Sequence, residues 1–268
     1  DDYLIATAKS KLVLPLPKGE FHAMDITLRD QVVDVITKAQ PDVVINTAAM
    51  TNVDQCELEK EKCWLNNVTA VEYVVEACQK AKCRLIHLST DFIFDGTFGP
   101  LDEEAVPNPV SYYGESKWAA EKIVQHSGLE WAIARTVLVY GVTKDMSRSN
   151  IVLWVKKNLE EGKTINVVND QWRTPTLAED LAMGCYLMAT KNAMGIYNIS
   201  GDEMMTPHDI AMATAEFFGL DKSLINQTDS SKFKQAAKRP PKTGFVINKA
   251  KQSLGFKPSS FLAGLARL

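Results

Sequence analysis

Short apolar runs rich in β-branched residues alternate with amphipathic stretches of helical length, and this alternation restricts the fold more than any other feature. Tyr3-Leu4-Ile5-Ala6-Thr7 has the length and composition of a strand. After a polar connection, residues 27–39 place Leu28, Val32, Val33, Val35 and Ile36 at helical spacing, and Pro41 stops that helix. Asp42-Val43-Val44-Ile45-Asn46 reads as a buried strand. Residues 57–82 read as one long helix with an apolar face of Trp64, Val68, Val71, Val74, Val75 and Cys78. The strand Arg84-Leu85-Ile86-His87-Leu88, a helix over 111–126 and a strand over 131–139 continue the series. Strands separated by helix-length crossovers lie parallel in a sheet covered on both faces. The predicted fold is therefore α/β, a Rossmann-like doubly wound parallel sheet.

The pattern loosens further on. A helix over 148–161, a strand Ile165-Asn166-Val167-Val168, a helix over 177–190 and a strand Ile196-Tyr197-Asn198-Ile199 are expected, the last rejoining the first sheet. Short helices over 206–218 and 248–254 follow, broken up by Pro207, Pro240, Pro241 and Pro258. The expected division gives residues 1–142 with 177–200 to a dinucleotide-binding domain. Residues 143–176 and 201–268 go to a smaller, interleaved α/β substrate-binding region. The 14 glycines include no GxGxxG or GxxGxxG turn. Such a turn opens a dinucleotide fold, so the first βα unit is expected to be missing and the chain to begin at the second strand.

Composition narrows the function. Thirty Lys and Arg against 33 Asp and Glu leave a net charge of -3, and no basic block suggests nucleic acid or an anionic membrane. The longest apolar runs are strand-sized, and Asp1-Asp2 is the wrong start for a signal peptide. Five cysteines without a CxxC pair and four histidines without an HxxxH arrangement give no metal-ligand spacing. Reduced, mostly buried thiols and a cytoplasmic location are expected.

Tyr113-Gly114-Glu115-Ser116-Lys117 puts a phenol and an ammonium one helical turn apart on one face. Such a pair is commonplace by itself. Here it opens the helix after a strand that ends in Ser89-Thr90-Asp91, at the carboxyl edge where α/β sites form. A phenol is a poor acid at neutral pH unless a positive charge sits nearby, which Lys117 can supply. Thr90 or Ser89 can hydrogen-bond a carbonyl oxygen as it gains negative charge. The trio reads as carbonyl-polarising machinery.

Asn46-Thr47-Ala48-Ala49 followed by Thr51, Val53-Asp54 and Glu57 is similar to the stretch after the third strand in dTDP-4-dehydrorhamnose reductases, a family of extended short-chain dehydrogenases/reductases. Ser89-Thr90-Asp91-Phe92-Ile93-Phe94-Asp95-Gly96 resembles that family's strand-end segment, with Phe92 where Tyr is usual. Pro107, Pro109, the Tyr113–Lys117 motif, Arg135-Thr136, Asp170-Gln171-Trp172-Arg173-Thr174-Pro175-Thr176 and Arg239-Pro240 follow at the family's intervals, so the likeness covers essentially the whole chain.

The resemblance implies roles. Tyr113 would be the proton donor, Lys117 its partner, and Thr90 the carbonyl-binding hydroxyl, with Asp91 also at the substrate. Asn67 matches an Asn that holds a water behind the lysine. Asp25-Ile26 would lie by the adenine, and Ala48-Ala49 with Thr51 along the dinucleotide. Leu138 stands where the family often has Trp near the sugar nucleotide. Arg173 and Arg239 would contact its phosphates, the alternative for each being an ion pair. The implied reaction is NAD(P)H-dependent reduction of a keto group on a nucleotide sugar, dTDP-4-dehydrorhamnose to dTDP-L-rhamnose above others. NADP(H) is the expected cofactor and NAD(H) the alternative, because the strand at 3–7 runs into Lys9-Ser10-Lys11 with no acid to hold a ribose 2′-hydroxyl. The rival reading is a non-catalytic regulatory subunit on the same fold, like the β subunit of methionine adenosyltransferase. The assembly stays open, a homodimer among the options.

Overall fold

The computed structural model describes residues 2–10, 16, 18–142 and 150–268. Lys11 and the start of the helix expected at 148 lie outside them. Strand β1 (Leu4–Ala8) pairs in parallel with β2 (Gly19–Ala23). Helix α1 (Arg29–Ala39) ends on Gln40 in the left-handed conformation and leads to β3 (Val43–Asn46). Helices α2 (Val53–Leu58) and α3 (Lys60–Trp64), a π-helical turn at Leu65–Thr69 and α4 (Ala70–Ala81) precede β4 (Arg84–Thr90). Then come α5 (Tyr112–Gln125), β5 (Trp131–Thr136), β6 (Val139–Tyr140) and α6 (Ile151–Glu160). The chain continues through β7 (Ile165–Val168), β8 (Thr176–Leu177), α7 (Ala178–Thr190) and β9 (Gly195–Asn198). It finishes with α8 (Pro207–Phe217), β10 (Ile225–Thr228) and α9 (Phe261–Leu265).

The central sheet runs β3-β4-β5-β9, all parallel, so the strand expected at 196–199 does join it. Successive residues of β4 serve opposite faces, as pleating demands. Leu85 packs with Val71, Val74 and Cys78 of α4, Val32 and Ile36 of α1, and Ala120 and Val124 of α5. Ile86 packs on the other side with Leu181, Cys185 and Met188 of α7 and with Phe245, Leu254 and Phe256. Both side chains are fully buried, each worth about 1.5–3 kcal/mol. This is the doubly wound arrangement. A separate apolar cluster joins Val155 and Leu159, Ile165 and Val167, Ala211 and Ala215, and Ile225, so α6, β7, α8 and β10 build a core of their own.

Four expectations need correction. The stretch before residue 27 holds a strand, β2, whose Glu20 and His22 flank a lone Phe21 and so disguise it. The helix expected over 57–82 starts earlier, capped by Asn52 through the Gln55 amide. It is interrupted at Glu59 and again by the π turn, which turns Asn67 and Val68 inward and leaves Trp64 41% exposed rather than on the buried face. The strand expected over 131–139 breaks after Thr136, because Leu138 adopts a positive φ of 39°. The stretch expected as a helix to 254 closes in a second π turn, Ala250–Leu254. Among the described residues no helix is long and apolar enough to cross a membrane, and no group of side chains could hold a metal ion. All five cysteines are free and buried. Cys56 and Cys63 pack in one small cluster with Tyr113, and Cys83 Sγ donates to the Cys78 carbonyl at 3.9 Å.

Candidate active site

The carboxyl ends of β3, β4 and β5 bring the chemistry together. Ser111 caps α5 by accepting from the Gly114 amide, which fixes the first turn that carries Tyr113. Capping of this kind is worth about 1 kcal/mol. Farther along α5, Glu121 takes both nitrogens of the Arg135 fork from β5, at 3.0 and 2.8 Å, and both side chains are buried. The pair locks the helix to the sheet in one register, the use to which a buried bidentate ion pair is best suited.

The Tyr113 phenol stands beside the Thr90 hydroxyl, and the Phe92 ring meets the Tyr113 ring edge-on at 5.7 Å. Thr90 Oγ1 donates to Asp91 Oδ1 at 3.2 Å and accepts from the Phe92 amide at 3.3 Å. Burial pushes the Tyr113 phenol above its ordinary value, with the neighbouring Thr90 hydroxyl working against that. Lys117 is buried, donates to the Leu88 carbonyl at 2.7 Å, and has His87 Nε2 at 3.3 Å. Burial holds its amine down at about 8, with Glu121 opposing. The structure thus brings Tyr113, Thr90 and Lys117 into one buried cluster.

Asn67 is buried, with its side chain held by protein partners. Its Oδ1 accepts from the Met50 amide at 2.7 Å, while Nδ2 donates to the Met50 carbonyl and to Ser116 Oγ, each at 3.0 Å. It clamps the loop carrying Ala48, Ala49 and Thr51 against α5. Ala48 and Ala49 are half-buried at the end of β3 and Thr51 is exposed. Asp25 follows β2 and pairs with Lys9 after β1 at 2.7 Å, a bond that pulls the carboxyl down to about 2. An acid therefore does stand at this edge, delivered by the neighbouring strand and out of view in the run after β1. Ile26 packs against the α1–α4 side of the core.

Asp91 turns inward to the Thr243 hydroxyl and to Arg173 Nε at 3.4 Å. Burial raises its pKa despite that cation. Arg173 is itself buried, and its two terminal nitrogens donate to the carbonyls of Trp172, Pro240 and Pro241. Its guanidinium ties the loop around Trp172 to Pro240 and Pro241. Arg239 forms the alternative ion pair, reaching both oxygens of Asp54 at 3.1 and 2.6 Å and tying α2 to the segment before Pro240. It also walls a cavity of about 370 Å³ with Asp95, Val110, Phe233, Gln235 and Lys238, which no member of the trio lines. Leu138 sits half-buried between β5 and β6, its carbonyl held by the Thr176 amide at 3.2 Å. His87 and Thr243 escaped the sequence reading. For His87 a signal existed, since its two-residue spacing from Ser89 puts both on one face of β4.

A doubly wound sheet with a buried Tyr/Lys pair beside a strand-end hydroxyl is the arrangement that the resemblance to short-chain dehydrogenases/reductases implies. The chain belongs to the family described as the RmlD substrate binding domain, which matches residues 4–268. It is 30% identical over 261 residues to the dTDP-4-dehydrorhamnose reductase of Aggregatibacter actinomycetemcomitans, covering 93% of this chain and 87% of that one. A crystal structure of dTDP-4-dehydrorhamnose reductase from Bacillus anthracis in complex with NADP superposes with a TM-score of 0.89 at 26% identity, over 99% of this chain and 97% of that one. The chain is also 32% identical over 194 residues to methionine adenosyltransferase 2 subunit beta of Xenopus tropicalis, covering 70% of itself and 58% of that protein.

Proposed function

We propose that the chain reduces a keto group on a nucleotide sugar with NADPH, dTDP-4-dehydrorhamnose to dTDP-L-rhamnose being the specific reaction and NADH the alternative reductant. The observation that carries this reading is the buried Tyr113 phenol set beside Thr90, with Lys117 one turn away along α5. The donors present fit a dinucleotide. The Lys117 ammonium has three protons and one carbonyl partner, Leu88. Ser89 Oγ, buried one residue before Thr90, has no partner among the described residues, and a ligand's polar group would satisfy it. NADPH, when bound, supplies the hydride.

The protein supplies the rest. Thr90 holds the carbonyl oxygen, Tyr113 gives it a proton as charge develops, and the Lys117 ammonium favours the resulting phenolate. Asn67, through Met50, steadies the loop of Ala48, Ala49 and Thr51 along the dinucleotide. The interleaved region, residues 143–176 and 201–268, carries the nucleotide sugar, with Lys238 and Arg239 beside the cavity as its cations.

The similarity to methionine adenosyltransferase 2 subunit beta favours a second reading, a regulatory subunit. NADPH oxidation by the purified protein against a panel of nucleotide-4-keto-sugars decides between them. Turnover with the dTDP-linked substrate supports the reductase. No oxidation with any member, together with binding to a methionine adenosyltransferase catalytic subunit, supports the rival.

A further inference from the structure

His87 is a buried histidine that the mechanism above does not use. It lies on β4 opposite Asn46 of β3 in the parallel register. Its Nδ1 is 3.2 Å from Asn46 Nδ2 and its Nε2 is 3.3 Å from Lys117 Nζ. The order of donors along this row is set from one end. The Ala48 backbone amide can only donate, and it points at Asn46 from 3.2 Å, so the Asn46 atom facing it must be the oxygen. Asn46 then presents its NH₂ group to His87, and Nδ1 has to accept. A neutral imidazole with Nδ1 bare carries its proton on Nε2. That proton points at Lys117.

An ammonium would set N–H against N–H there. A neutral amine would accept from His87, donate one proton to the Leu88 carbonyl and keep one more. We propose that His87 is a positioning residue for the reduction, its Nε2–H aimed at Lys117 so as to stabilise the uncharged amine. This rests on the reductase reading. In that reaction the carbonyl carbon takes a hydride and the oxygen takes the Tyr113 proton. The phenolate regains a proton from the Lys117 ammonium, and the amine left behind is the species His87 receives, until solvent reprotonates it.

The groups facing this row are few. Glu121 lies one turn farther along α5, already held by Arg135. Cys63 reaches from α3, and Tyr113 with Asp91 stands at the end of β4. Burial first, and the Lys117 charge second, keep His87 neutral, which makes its tautomer the variable.

The test begins with the side-chain nitrogen NMR shifts of His87 in the full chain, assigned by their loss in His87→Gln. A protonated Nε2 and a bare Nδ1 are expected, and the opposite tautomer would overturn the proposal whether or not the protein turns over any sugar. Asn46→Asp is the second arm. It keeps the shape, still accepts from Ala48, and offers a carboxylate oxygen to Nδ1, which reverses the tautomer and gives Lys117 an acceptor. The alkaline limb of kcat should then move up by roughly one pH unit. A reversed tautomer with an unmoved limb would leave His87 as packing alone. Absence of NADPH oxidation by the unaltered protein sinks the reductase reading, and the tautomer measurement still decides the order of the row.

Discussion

Gly114 approaches the turn after β4 so closely that a Cβ at this position would stand 2.1 Å from the Phe92 carbonyl oxygen. Backbone cannot yield as a flexible side chain can, so the first turn of α5 would have to back away, taking Tyr113 from Thr90. Gly114→Ala should cost about 1–3 kcal/mol of stability and, more tellingly, lower kcat about 100-fold or more through misplaced geometry. Denaturant melts beside steady-state kinetics would check both. Wild-type kcat in this variant would mean that the closeness does not matter to catalysis.

Tyr113→Phe should remove activity while sparing fold and cofactor affinity. The change deletes one oxygen from a ring that keeps its packing against Phe92, and the expected loss is on the order of 10²–10⁴ in rate. Lys117→Ala should lower activity and also weaken NADPH binding, since the ammonium has a proton to spare for the dinucleotide. Kinetics and NADPH titrations of the two variants separate proton donor from anchor. Near-normal kcat in Tyr113→Phe would defeat the mechanism.

Lys117 also leaves a signature in stability. Burial holds its folded amine at about 8, below the ordinary 10.5 of lysine. Below pH 8 the buried ammonium is a standing cost. Between about 8 and 10.5 the folded chain has released the proton while the unfolded chain still binds it, so this group's contribution rises with pH across that window. The rise should total roughly 3 kcal/mol. Chemical denaturation at stepped pH should show it in the wild type and not in Lys117→Met. Identical pH slopes in the two proteins would contradict it.

The Lys9–Asp25 pair bears on cofactor choice. With Asp25 engaged, Lys9 is shared between a carboxylate and any 2′-phosphate. Asp25→Asn should release it and raise the preference for NADPH over NADH by about two- to fivefold, the worth of an exposed ion pair. The ratio of kcat/KM values for the two reductants measures this. A shift toward NADH would place Asp25 on the ribose hydroxyl instead.

What the sequence made legible follows a physical line. Continuous apolar runs such as Arg84–Leu88 and the paired signals Thr90, Tyr113 and Lys117 are local, and strand-helix alternation carries them to one edge of the sheet. Relations made by distant backbone were hidden. Nothing in the run Lys9-Ser10-Lys11 announces that Asp25 will stand beside it, since that depends on a strand with one large apolar residue. Arg173 read as a phosphate contact or an ion-pair partner, and the carbonyls of Pro240 and Pro241 that also hold it were out of view because they lie 67 and 68 residues away. Asn67 was indicated by the family resemblance, yet its partners became visible only once the π turn had rotated it toward Met50 and Ser116.

That π turn at Leu65–Thr69 amounts to one surplus residue in a helix that would otherwise run straight. Shortening the segment by a single amino acid would give a more regular rod and a poorer protein. Everything before the deletion would rotate by about 100° relative to α4, carrying α3 and the Cys56–Cys63 contact away from α5. The irregularity works as a coupling between two gears cut at different pitch: α4 keeps the phase its core demands, and α3 keeps the phase the active site demands.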